Sequence, residues 1–134
     1  MSTIPVRRTI TRRLEEDTDL FDGIRKIARE NSVKNGRVTG VGTVKRASLA
    51  SHDQKLMRSF TMHIPGPMEI VSLYGTITPG DGQPVVQVHL VLSDEHGNGS
   101  GGQLLPGGTP VSACDVAIEE YDLTQQSASA QPAS

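Results

Sequence analysis

Hydrophobic positions recur along this chain with two different periods. From Leu20 to Ala28 the apolar residues Leu20, Phe21, Ile24, Ile27 and Ala28 are three or four apart, with Asp19, Asp22, Arg25, Lys26 and Arg29 between them. That spacing predicts an amphipathic helix over about residues 18 to 32. Acidic Glu15, Glu16, Asp17 and Asp19 gather where a helix N-terminus favours negative charge, and Asn35-Gly36 supplies residues that tolerate positive φ at its close. Elsewhere the period is two. Strands are predicted over residues 4–13, 37–44, 47–51, 60–64, 68–77, 84–93 and 111–121, the first of them reading as an edge or first strand. The loop Thr78-Pro79-Gly80-Asp81-Gly82 makes the fifth and sixth of these a hairpin. In its second arm Val86, Val88, Leu90 and Leu92 share the core face, which leaves Gln87 and His89 together on the other.

This pattern describes one small α+β domain, mainly antiparallel sheet with one principal flanking helix, over residues 5–122. The Gln/Ser/Ala/Pro segment 123–134 is expected to be a disordered tail. A chain of 134 residues buries roughly two-thirds of its unfolded surface, enough for a single core. With no Trp, 2 Phe and 2 Tyr, that core must be aliphatic, and platforms for base stacking are scarce. A formal net charge of -2 gives no global field to hold a polyanion. A single cysteine excludes an internal disulfide and fits a reducing, cytoplasmic setting; no apolar run has the length of a signal peptide or a membrane span.

Candidate chemistry is sparse. Gly97-Asn-Gly-Ser-Gly-Gly102 satisfies a dinucleotide-loop pattern, but Gln103-Leu-Leu-Pro-Gly-Gly108 follows in place of a helix, so a glycine-rich bend is the expectation and no cofactor is implied. Gly40 and Gly42 lie within a strand, where glycine marks a bulge or close backbone approach. Cys114 falls in the last strand and reads as a buried core thiol. His52, His63 and His96 read as surface residues, with no partner at metal-ligand spacing. His89 differs, because Gln87 shares its strand face and the bend can bring Gln103 to it. One imidazole and two amides suit hydrogen bonding to a small polar ligand better than a metal, and a polar cluster at a subunit contact is an equal alternative. Glu69, bracketed by Met68, Ile70 and Val71, reads first as a salt-bridge or interface contact, with a general base or ligand anchor as the functional alternative. Arg7, Arg8, Arg12, Arg13, Arg37, Lys45 and Arg46 are candidate phosphate contacts, although for the first four solubilising charge on a strand edge is the preferred reading.

In order and spacing, five segments together resemble the plants-and-prokaryotes-conserved domain, called PPC and known in plants as the companion of the AT-hook. They are Leu14-Glu-Glu-Asp-Thr-Asp-Leu20, Gly40-Val-Gly-Thr-Val-Lys-Arg-Ala-Ser-Leu49, Gly66-Pro-Met-Glu-Ile-Val-Ser-Leu-Tyr-Gly75, Val88-His-Leu-Val-Leu-Ser-Asp94 and Gly101-Gly-Gln-Leu104. The resemblance implies an antiparallel sheet flanked by helix, a homotrimer, and a partner-contact role for the segment holding Glu69. It also implies a metal site between subunits, made by a His-x-His pair and a Gly-Gly-His bend. Here those positions read Gln87-Val88-His89 and Gly101-Gly102-Gln103, so metal binding should be weak or lost while the concave position persists. Bacterial members are provisionally labelled DNA-binding, but the Arg-Gly-Arg core of an AT-hook is absent here. The leading expectation is therefore a trimeric binding or regulatory module rather than an enzyme, with a polar pocket at Glu69, Gln87, His89 and Gln103. A DNA-associated protein without an AT-hook, and a metal-assisted hydrolase with His89 as ligand and Glu69 as base, are the alternatives.

Overall fold

The computed structural model describes residues 3–124; the predicted tail, apart from Leu123 and Thr124, lies outside the described residues. Strand β1 (Val6–Leu14) leads to helix α1 (Leu20–Glu30), and then seven strands follow: β2 (Gly36–Val44), β3 (Ala47–Asp53), β4 (Arg58–Ile64), β5 (Met68–Thr78), β6 (Val85–Ser93), β7 (Gly99–Leu104) and β8 (Val111–Tyr121). They form one eight-stranded sheet in the order β1-β8-β2-β5-β6-β7-β3-β4. Every pairing is antiparallel.

Helix α1 runs for 11 residues and buries Leu20, Phe21, Ile24, Ile27 and Ala28 against the sheet, the face its periodicity marked. Each of the four larger side chains contributes roughly 1.5–3 kcal/mol through apolar burial. The core continues through Val86, Val88, Leu90 and Leu92 of β6 and Val116 and Ile118 of β8, all on the helix side.

Asp19 fixes the helix entrance. One carboxylate oxygen accepts hydrogen bonds from the Asp22 amide (3.0 Å) and the Gly107 amide (3.0 Å), and the other from the Thr109 amide (2.9 Å), so one side chain caps α1 and ties the β7–β8 connection to it. Asp19→Ala should cost about 2–3 kcal/mol, a lost cap plus amides left without their acceptor. Chemical denaturation checks this; a loss below about 0.5 kcal/mol, the range of an ordinary surface change, would contradict it.

Two local expectations need correction. The left-handed residue after α1 is Ser32, at φ 55, whereas Gly36 already belongs to β2. Gly36 is required for another reason: a Cβ there would sit 2.5 Å from the Glu119 carbonyl oxygen of β8. Residues 97–102 are also more than a bend. From Gly99 onward they form β7, held between β6 and β3. Gly-Ser-Gly-Gly-Gln-Leu has poor strand propensity, but backbone pairing on both sides overrides it. Gly102 permits the approach to β3, since a Cβ there would meet the Ala50 carbonyl oxygen at 2.6 Å.

Candidate ligand site on the exposed sheet face

The face of the sheet opposite α1 carries the residues that the sequence singled out as a candidate pocket. His89 of β6 pairs with Gln103 of β7 on one side and with Tyr74 of β5 on the other, and Tyr74 pairs in turn with Thr39 of β2. Side chains at paired positions project to the same face, so Thr39, Tyr74, His89 and Gln103 form one continuous row. Gln87 lies two residues back along β6, opposite Thr76, and joins them because strand side chains alternate. The register thus brings Gln87, His89 and Gln103 together.

Glu69 stands apart. Its partner is Ser93, four positions along β6 from His89, which places it roughly 13 Å away at a strand rise of ~3.3 Å per residue. A bulge between Ile70 and Ser72 keeps Glu69 and Val71 facing outward in spite of the shift in phase. Between the Glu69 end and the His89 row lie Val41, 65% exposed, Val71, 61% exposed, and Val91, 45% exposed. Glu69, Gln87, His89 and Gln103 are all exposed, and none makes a side-chain hydrogen bond or ion pair among the described residues. The face therefore offers free polar groups beside an apolar patch.

Of the seven basic candidates, five are paired with carboxylates of this chain. Arg7 meets Asp122 at 3.4 Å, Arg8 meets Glu120 at 2.7 Å, Arg13 grips Asp115 through two bonds of 2.8 and 2.9 Å, and Arg37 pairs with Glu119. Lys45 lies 2.7 Å from both Glu16 and Asp17. Arg12 donates to the Thr11 carbonyl, and Arg46 has no partner among the described residues. Hydrogen bonding to Asp115 raises the pKa of Arg13, and hydrogen bonding to Arg13 lowers that of Asp115. The five paired cations sit along the β1–β8–β2 region and the β2–β3 connection, each opposed by a carboxylate, rather than in an unopposed stripe.

The remaining singled-out residues are placed as follows. Cys114 is buried, and burial pushes its thiol up to about 11. Native protein should therefore leave Cys114 unmodified by an aromatic disulfide reagent at pH 8, with one thiol released on denaturation; fast labelling of native protein would contradict this placement. His52 pairs loosely with Ser59 and His96 approaches Glu95, both at the surface. His63 is exposed, but its Nδ1 lies 3.0 Å from the hydroxyl of Ser48, a contact that individual spacing did not suggest. Tyr74 was missed as well. The hairpin contained the signal, since pairing Ile77 with Val86 across the loop sets Tyr74 against His89.

Three or more His, Cys, Asp or Glu side chains do not converge in a metal-binding group among the described residues. At the position where the resemblance implied a metal, the donors are one imidazole and two amides, a poor fit to a borderline-soft cation.

The model of the Plants and Prokaryotes Conserved (PCC) domain matches residues 1–122. The chain belongs to this family. None of the curated proteins matches the PCC chain in sequence. Among solved structures, it is similar to a metal-containing protein from Archaeoglobus fulgidus, with a TM-score of 0.81 and 24% identity over 91% of this chain and 85% of that one. A plant- and prokaryote-conserved (PPC) protein from Pyrococcus horikoshii gives a TM-score of 0.81 and 23% identity, over 91% and 84%. A protein of Bacteroides thetaiotaomicron, provisionally described as DNA-binding, gives 0.78 and 18%, over 91% and 85%. At these identities the likeness establishes a shared fold, so the chemistry of the PCC chain rests on its own residues. No described helix is long and apolar enough to cross a membrane.

Proposed function

We propose that this PCC domain is a homotrimeric binding or regulatory module whose polar site is Gln87, His89 and Gln103, completed by a subunit contact on the same sheet face, with Glu69 at the far end of that contact. The observation that carries this reading is the pairing of an uncovered valine patch with hydrogen-bonding side chains that have no partner among the described residues. A contiguous apolar patch beside polar groups is what an interaction surface presents. Amide and imidazole groups in one row can both donate and accept, which suits a small polar ligand.

The geometry of the row is testable through metal affinity. The double change Gln87→His with Gln103→His puts three imidazoles where the register joins two positions of β6 to one of β7. Zinc should then bind about a hundredfold or more tighter than to the wild type, a gain of ~2.7 kcal/mol, measured by isothermal titration calorimetry. Unchanged affinity in a folded double variant would show that the three positions do not converge.

A DNA-associated role is the second reading, supported by the provisional description of the Bacteroides structure. The pairing of five of the seven candidate cations with carboxylates opposes it. We expect no retardation of an A·T-rich duplex at low salt. A complex with a steep dependence on salt would favour the DNA reading instead.

A further inference from the structure

A cleft of about 380 Å³ lies between the C-terminal end of α1 and the β5–β6 loop, away from the residues of the polar row. Its apolar walls are Ala28 and Val33 from the helical side and Pro79 and Pro84 from the loop; its polar groups include Arg29, Ser32 and Lys34. The volume falls within the range of small-molecule sites, about 300–1,000 Å³.

We propose that this cleft binds a small amphiphilic carboxylate, with its hydrocarbon part against the two prolines and its charge between Arg29 and Lys34. In a chain where many arginines are matched to a carboxylate, the side chains of Arg29 and Lys34 have no partner among the described residues. The helix dipole favours a cation in the last turn, which suits Arg29, and Lys34, beyond the helix, adds a second cation to the same cleft wall. Ser32 supplies a second observation. It occupies a left-handed conformation at φ 55 just after the helix, where glycine is usual, and its hydroxyl also has no partner among the described residues. It lies on the wall of the cleft, between the two cations in sequence. Its hydroxyl can donate to the same carboxylate that accepts from the arginine.

The test uses the full chain, octanoate as probe and octanol as its neutral counterpart, followed through backbone amide shifts in two-dimensional NMR. Octanoate should shift the amides of residues 32–34 and 80–83 saturably, with octanol about tenfold weaker and the Arg29→Ala, Lys34→Ala double variant weakened about tenfold, as loss of charge-assisted hydrogen bonds requires. The variant His89→Ala should bind octanoate as the wild type does, which separates this site from the polar row. Equal response to octanol, unchanged affinity in a folded double variant, shifts confined to the exposed sheet face, or no saturable shift would each overturn the proposal.

Discussion

Gly42→Ala should be the most damaging single-methyl addition in the molecule, lowering stability by about 3 kcal/mol or more and the thermal midpoint by roughly 10–15 °C. Gly42 has φ 143, a region that L side chains rarely adopt. A Cβ there would lie 2.1 Å from the Ala113 carbonyl oxygen and 2.7 Å from the Cys114 Cα. Both are backbone atoms of β8, so no side chain can swing aside. Relief requires β2 to separate from β8, and β2 joins β8 to β5 within the sheet. Gly99→Ala is the control, because its Cβ would meet only the Leu92 carbonyl oxygen, at 3.7 Å. That change should fall within about 1 kcal/mol of the wild type. Thermal melting by circular dichroism measures both, and similar midpoints for the two variants would contradict the close-approach argument.

Val91→Glu is expected to leave the subunit folded and to separate the proposed trimer into monomers. Val91 is 45% exposed in the single chain, so a carboxylate there costs the isolated fold little. In the proposed assembly the same position is covered, and a buried unpaired charge costs several kcal/mol in each subunit. Association would then weaken by many orders of magnitude, since each 1.4 kcal/mol is a factor of ten. Lys55→Glu, on the β3–β4 turn away from the face, should keep the wild-type mass. Light scattering coupled to size exclusion distinguishes these outcomes; an oligomeric Val91→Glu variant would place the contact elsewhere.

Much of this fold was legible because its apolar residues keep strict time. The three-four spacing from Leu20 to Ala28 gave the buried face of α1, and alternation from Val86 to Leu92 gave the core row of β6. Gln87 and His89 could therefore be assigned to the opposite face without a structure. What escaped was set by partners distant in sequence. β7 exists because β6 and β3 pair with a glycine-rich segment that carries almost no propensity of its own. The separation of Glu69 from His89 depends on register, which composition and proximity in sequence do not reveal. The neutralisation of Arg8, Arg13 and Arg37 follows from β8 carrying Glu120, Asp115 and Glu119 beside them, a match visible only once β8 is placed between β1 and β2. Ser48 and His63 likewise meet only through the pairing of β3 with β4.

The valine-bearing face with its polar row is proposed as a contact between copies of this chain. Sedimentation equilibrium of the wild-type protein at micromolar concentration tests it most directly. The expected result is a single species of three times the 14.3 kDa chain mass. A single species at the mass of one chain under the same conditions would contradict it.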